Sequence, residues 1–398
     1  MKYSRRKFLA TGGMTASGIL LGASALPFNL KKSANDTIQV GIIGTGDRGT
    51  GLAHLIKETA GLKVTACCDI IPFRLEGGLQ KAEKGAIAYT EYRKLLENKD
   101  IDAVIISTPF SMHAQMATDA IDAGKHVYCE KTMVRGIEEA KKLVKKAHSS
   151  KKIFQTGHQY HSSRLYNHVA GLIAKGYIGE IASFECQWNR NGNWRRPVPD
   201  QKWEKMINWR MYREYSGGLA AELCSHQIDF INWILDSHPQ KIAGFGGIDY
   251  WKDGRETYDN IHLLMEYPND VNAKFTCLTS NAFDDYKIKV LGSKGTIILD
   301  YTKAWIYAEN LKEKEKAIVD GVSGATKVAW EKGEGVPIKI EHKDPTLQAL
   351  LDFQDCILDN KNPESNVKSG AKVAIAIQMA LDAMDNNRIE YWKDDYNF

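Results

Sequence analysis

Ile38-Gln39-Val40-Gly41-Ile42-Ile43-Gly44-Thr45-Gly46-Asp47-Arg48-Gly49 opens the folded part of the chain, and Thr50-Gly51-Leu52-Ala53-His54-Leu55-Ile56-Lys57 follows it directly. An apolar, β-branched run leads into Gly-x-Gly-x-x-Gly and then into a helix-compatible segment. That order specifies a buried parallel strand, a tight turn, and a helix whose N-terminus faces the turn. Gly44 permits the turn, Gly46 lets a pyrophosphate approach the backbone, and Gly49 lets helix and strand pack closely. The unpaired N–H groups and positive dipole end of the helix face the phosphates. Thr45, Asp47 and Arg48, inside the turn, therefore join the three glycines as expected cofactor-binding residues.

The second half of the fingerprint is in register. Leu62–Cys68 reads as the next strand and ends in Asp69, twenty residues beyond Gly49. A carboxylate there accepts hydrogen bonds from both ribose hydroxyls and repels a 2′-phosphate, so NAD is expected in preference to NADP. From Asp69 onward, strands and helices alternate as in a doubly wound sheet. Two strand ends carry chemistry. Ser107-Thr108-Pro109, with His113 nearby, follows the strand Ala103–Ile106. Glu130-Lys131 follows His126–Cys129. Both segments lie at carboxyl ends of parallel strands, where open α/β sheets bind ligands, and Lys131 is placed at the nicotinamide end.

Residues 1–25 stand apart from this fold. Ser4-Arg5-Arg6-Lys7-Phe8-Leu9 is a twin-arginine signal core, an apolar run reaches Leu21, and Ala23-Ser24-Ala25 offers a cleavage site. Export to the periplasm is expected, with no membrane attachment once the signal is removed. The formal charge of +4 resides in Lys2, Arg5, Arg6 and Lys7, so the remaining chain is neutral. Neutrality removes the electrostatic case for nucleic acid or an acidic membrane surface. The mature length of roughly 370 residues suggests two domains, 36–156 and 157–398. Seven scattered cysteines show no metal or disulfide spacing and read as core residues.

In the second half, Gln155-Thr156-Gly157-His158-Gln159-Tyr160-His161 precedes a helix that begins near Arg164. His158, Tyr160 and Arg164 are expected at the substrate. Strands follow at 181–187, 241–248, 258–266, 272–279, 285–291 and 296–300, joined by turn signals that suit an antiparallel sheet. Between the first two lies an insertion rich in Trp, Arg and Asn, including Trp194 and Trp209. Flat apolar faces with hydrogen-bonding groups suit a carbohydrate, and the same residue types suit a subunit interface. The helix 218–235 then places Glu222, His226, Asp229 and Trp233 on one stripe. In an ordinary amphipathic helix that stripe faces water. A Glu/His pair also raises zinc, but no third ligand at suitable spacing exists, so no metal is expected. Two helices close the chain.

The run Ser107-Thr108-Pro109…His113…Ala123-Gly124-Lys125-His126-Val127-Tyr128-Cys129-Glu130-Lys131 resembles the Gfo/Idh/MocA oxidoreductases, among them glucose–fructose oxidoreductase and inositol dehydrogenase. The resemblance implies an N-terminal Rossmann domain with a doubly wound parallel sheet. It also implies a C-terminal α/β domain with an open, mainly antiparallel sheet that packs substrate against nicotinamide. Glu130 and Lys131 match the family's Glu-Lys-Pro motif, with Thr132 in place of proline. Glu222-x-x-x-His226 sits where the family carries Asp-x-x-x-His, one methylene longer at the acid. The resemblance thus implies catalytic roles for Lys131 and His226, with Glu222 orienting His226 or binding a neighbouring hydroxyl.

The expected function is an exported NAD-dependent oxidoreductase acting on a sugar, polyol or glycoside hydroxyl with a tightly held cofactor. The alternative is a redox-neutral glycoside hydrolase of the same fold, which oxidises C3, eliminates the C1 substituent and restores the hydride. A third reading is a non-catalytic binding protein, against which intact Lys131 and His226 argue. The open sheet favours a homo-oligomer.

Overall fold

The computed structural model describes residues 37–309 and 335–398. The twin-arginine segment lies outside the described residues. In the first half, β1 (Ile38–Ile43), β2 (Leu62–Cys68), β3 (Ile87–Tyr89), β4 (Ala103–Ile106), β5 (His126–Cys129) and β6 (Phe154–Thr156) form one sheet. Their order is β3-β2-β1-β4-β5-β6, and every pair is parallel. Helices cover both faces, which is why β1, β4 and β5 read as nearly unbroken apolar runs. The interleaved helices are α1 (Asp47–Ile56), α2 (Pro72–Lys81), α3 (Tyr92–Glu97), α4 (His113–Asp122) and α5 (Ile137–His148).

Strand order reverses between β1 and β4, and a crevice opens at their carboxyl ends. Gly44, at the end of β1, has φ +88, and an added Cβ there would meet the Ser107 backbone at 2.8 Å. A Cβ on Gly49 would lie 2.0 Å from the Gly44 carbonyl oxygen, so α1 packs against the turn with no room for a side chain. The doubly wound sheet, the turn at Gly44 and the close packing at Gly49 are as expected from the sequence.

After α6 (Arg164–Ala174), the second sheet takes in β7 (Ile181–Asn191), then α7 (Ser225–Ile234) intervenes before β8 (Lys241–Gly247). It continues with β9 (Asn260–Glu266), β10 (Asn272–Leu278), β11 (Ser280–Gly292) and β12 (Gly295–Leu299). The short strands β13 (Ala304–Ala308), β14 (Val336–Ile338) and β15 (Glu390–Tyr391) complete it. The order is β14-β13-β12-β11-β7-β10-β9-β8-β15, antiparallel throughout except for the β7–β10 pair.

Two features bear on the sequence reading. The water-facing alternative for the stripe of α7 does not hold: residues 225–232 are all buried, and the preceding turn, Ala220–Cys224, is a π-turn that is buried as well. The closing helices α8 (Pro345–Asp359) and α9 (Val367–Asn386) also divide their packing between the two halves. Ala349, Leu350 and Phe353 of α8 join the Rossmann core with Val40, Ile42 and Tyr128, whereas α9 packs on α7 and β8 of the second half and on α5 of the first. Cys67, Cys68, Cys129, Cys186, Cys224 and Cys277 are buried and free, as a core role requires. Among the described residues no helix is long and apolar enough to cross a membrane, and no His/Cys/Asp/Glu group is arranged to hold a metal.

Candidate active site

The Gly-rich turn leaves helix donors without a side-chain cap. Gly46, which borders the crevice, caps α1 with no side-chain hydrogen bond, so no side chain of the cap satisfies the first N–H groups of the helix. That is the cradle a diphosphate fills. Asp69 borders the crevice; its carboxylate accepts hydrogen bonds from the Thr45 N–H at 2.8 Å and the Ile71 N–H at 2.9 Å. Thr45 is buried and acts by fixing the turn, its hydroxyl donating to the Arg74 carbonyl at 2.9 Å. The Ser107 hydroxyl donates to the Gly44 carbonyl at 2.6 Å and joins the two strand ends that flank the crevice. The cleft has a volume of about 560 Å³ and includes Gly44, Gly46, Asp47, Arg48, Thr108 and Pro109. Its outer wall comes from the Trp- and Arg-rich insertion, through Arg196, Met206, Ile207, Trp209, Arg210 and Tyr215. Arg196 forms an ion pair with Asp47 across the opening. The residues present therefore fit a dinucleotide.

A second cavity of about 460 Å³ continues from the cleft and shares Arg48, Ser107, Thr108, Arg196, Trp209 and Arg210 with it. Lys131, Glu222 and His226 converge there. The π-turn explains the placement of Lys131. A π-turn displaces the carbonyls around it from the regular helix ladder. The Glu222 carbonyl accepts from Lys131 Nζ at 2.9 Å, and the Ala221 carbonyl accepts from the Thr132 hydroxyl at 2.9 Å. The Lys131–Thr132 peptide is cis. Glu222 Oε2 lies 3.8 Å from Lys131 Nζ and accepts from Arg210 Nε at 2.8 Å. Glu222 therefore makes its side-chain contacts with Lys131 and Arg210.

Electrostatics separate the roles. Burial pushes the His226 imidazole well below its usual range, and the charges of Lys131 and Arg48 and the neighbouring His158 add to that. His226 is neutral at neutral pH. Burial also lowers the Lys131 ammonium, against the pull of Glu222. Burial alone would raise Glu222, but Lys131 and Arg210 more than offset it and hold the carboxyl below its ordinary value. Glu130 is buried and accepts from Arg48 Nε at 2.8 Å. His113 borders the cavity, but each ring nitrogen faces a carbonyl at 3.0 Å, those of Thr132 and Thr108. It staples the two strand ends together.

Three expected substrate residues lie elsewhere. His158 is wholly buried behind His226 and does not border the cavity. Tyr160 is buried too, stacked on Tyr166 at 4.3 Å and tilted against His226 at 5.3 Å. Arg164 pairs with Asp352 at 3.0 Å, away from both cavities. Each follows β6 closely in sequence, but the chain turns its side chains inward or outward rather than to the crevice. Trp194 and Trp209 do line the cavity, joined by Trp188, Arg190 and Arg210, which sequence reasoning did not single out. Their signal was the composition of the insertion, without a period to say which members face inward.

Known proteins place this geometry. The profile of the oxidoreductase family's NAD-binding Rossmann fold matches residues 38–158, and that of its C-terminal alpha/beta domain matches residues 170–392. A glycosyl hydrolase family 109 protein from Shewanella pealeana is 30% identical over 235 residues, covering 53% of this chain and 51% of the relative. A 2,7-anhydro-N-acetylneuraminate hydratase from Mediterraneibacter gnavus is 26% identical over 268 residues, covering 66% and 67%. The structure of aldose-aldose oxidoreductase from Caulobacter crescentus, complexed with glycerol, superposes with a TM-score of 0.71 at 19% identity, covering 89% of this chain and 100% of that one. With the Rossmann half and the mixed-sheet half both matched, the chain belongs to the Gfo/Idh/MocA family of NAD(P)-dependent oxidoreductases.

Proposed function

We propose that the protein exchanges a hydride between a tightly held NAD and a secondary hydroxyl of a sugar, polyol or glycoside. The observation that carries this reading is one continuous space. A dinucleotide cleft opens into a cavity holding a buried lysine, a neutral histidine and three tryptophans. Nicotinamide bound in the cleft supplies reversible hydride chemistry. Lys131 donates a charge-assisted hydrogen bond to the reacting oxygen, and Glu222 with Arg210 fixes its position. His226 accepts the hydroxyl proton when the alcohol is oxidised and returns it on reduction. Trp188, Trp194 and Trp209 offer flat faces to a sugar ring, and Arg190 and Arg210 offer donors to its hydroxyls. Asp69 favours NAD over NADP, and Arg5-Arg6 marks the chain for folded export to the periplasm. Phe245 and Leu264, exposed on the outer face of the second sheet, support assembly with a second copy of the chain.

The second reading is glycoside cleavage through a 3-keto sugar. The hydrolase and hydratase relatives support it, and so does the carboxylate arrangement. Glu130 and Glu222 border the cavity, but each is held by an arginine, Arg48 and Arg210. A conventional hydrolase needs one carboxyl protonated as the acid. Cleavage here would proceed through oxidation at C3, elimination and return of the hydride, with Lys131 and His226 in the same roles. A screen of free sugars and aryl glycosides, following nicotinamide absorbance and product release together, tests both. Reduced nicotinamide that accumulates supports a dehydrogenase. Aglycone released from a glycoside without net reduction supports the closed cycle, an oxidised and a reduced sugar formed together support hydride exchange, and no signal with any substrate refutes both.

A further inference from the structure

Behind His226 lies a string of buried ionisable groups that the reaction above does not use. The His158 ring stands perpendicular to that of His226, with centroids 5.8 Å apart. His158 Nδ1 is 3.8 Å from Asp229 Oδ1, and Asp229 Oδ2 is 3.0 Å from His161 Nε2. His161 stacks on Trp233 at 4.6 Å. His161 and Asp229 border a third cavity, about 580 Å³, which shares no lining residue with the substrate cavity. The string therefore begins at one cavity and ends at another.

Packing alone does not call for these residues. Burying an ionised carboxylate costs several kcal/mol unless partners compensate, and apolar side chains would fill the same space. His226 Nδ1 and both ring nitrogens of His158 and of His161 are buried without a hydrogen-bond partner, the 3.0 Å approach of His161 Nε2 to Asp229 being an ion-pair contact. Imidazoles left open in this way can accept a proton on one nitrogen and release it from the other, directly or through one water. Sugar and dinucleotide together would fill the front of the site, so His226 needs a route to solvent at its back.

We propose that His158, Asp229 and His161 form a proton relay connecting His226 to solvent in the third cavity; this rests on the proposed hydride chemistry. The electron pair leaves the substrate as hydride to the nicotinamide dinucleotide. The hydroxyl proton passes to His226, whose Nδ1 proton passes to His158, then Asp229, then His161, and finally to water or buffer. One proton is released per alcohol oxidised; each imidazole is left in its other tautomer, and the proton's return along the same path when the nicotinamide is reoxidised resets the relay. Charges set the direction. Lys131 and Arg48 face His226, Lys131 and Glu130 face His158, and Glu364 faces His161. Burial holds His158 below its ordinary value, whereas Asp229 outweighs burial and holds His161 above it. A proton thus moves from the weaker base beside the substrate to the stronger base beside solvent.

The test uses the NAD-loaded full protein, labelled with ¹⁵N at histidine. The relay predicts that the His226 ring signals follow the titration of His161, and that His158→Phe abolishes this coupling while circular dichroism is unchanged. His226 signals indifferent to His161 in the wild type would overturn the relay. With a sugar found by the screen, His161→Ala should slow turnover about tenfold or more in weak buffer. Added imidazole, entering the third cavity, should restore it, and His161→Gln should behave as His161→Ala does. Unchanged turnover, or a loss that imidazole does not touch, contradicts the relay. Wild-type protein whose NAD is reduced by none of the sugars, with no product formed, refutes the proposed function instead, and the NMR titration still decides the relay.

Discussion

His226 and Lys131 must hold opposite protonation states at working pH, and their surroundings arrange this. His226 is active when neutral, and burial with Lys131 nearby shifts its titration well below the usual histidine range. Turnover should therefore persist below pH 6.5 and fall only when His226 gains a proton. Lys131 is active when charged, and burial brings its titration below the ordinary lysine value. Turnover should fall again on the alkaline side, earlier than an exposed lysine would allow. Glu222→Gln removes the charge that supports Lys131, so the alkaline limb should move to still lower pH; a limb that stays in place would separate Glu222 from Lys131. Lys131→Ala and His226→Ala should each lower turnover by about 10²–10⁴ while NAD binding and folding remain close to wild type. Asp69→Ala should weaken NAD binding about tenfold to a hundredfold, the worth of a charge-assisted hydrogen bond, and reduce discrimination against NADP, measured by calorimetry. Lys131, Glu222 and His226 were legible in the sequence because each sits in a motif with a fixed place in the fold. His158, Tyr160 and Arg164 follow β6 within eight residues, but nothing in their spacing says which way a short 3₁₀ turn directs each side chain.

At the scale of elements, legibility followed burial. Parallel strands covered on both faces announce themselves as apolar runs, and the glycine turn fixed which of them ends at the nucleotide. The strands of the second sheet were legible through their turns, except for β13, β14 and β15, which are short and lie toward the sheet edges. The π-turn at Ala220–Cys224 leaves no mark in a helical periodicity, yet it places two carbonyls against Lys131 and Thr132. The tail helix α8 shows the other limit, since a period reveals an apolar face but not the partner that covers it. Phe353 sits edge-on to Tyr128 with centroids 5.7 Å apart, wholly buried in the Rossmann core. Phe353→Ala should destabilise the protein by about 3–5 kcal/mol in denaturant unfolding. A loss below 1 kcal/mol would mean that α8 only covers the sheet loosely.

For the whole molecule, the insertion from the second half closes the nucleotide cleft, and Arg196 meets Asp47 across the opening. A dinucleotide bound there lies between the two halves of the chain, which favours retention over exchange. Retention would also answer the constraint that the proposed export sets. Outside the cytoplasm no general NAD pool exists, so an enzyme that released NADH would stop after one turnover. Reduction and reoxidation within one site avoids that, either by oxidising one sugar and reducing another or by closing an elimination cycle. The most direct test of this account is nucleotide content, by mass spectrometry after extensive dialysis, followed by activity on the screened sugars with no NAD added. The account predicts close to one NAD per chain and sustained turnover. Protein that emerges empty and works only with stoichiometric added NAD would contradict it and indicate a conventional, exchanging dehydrogenase.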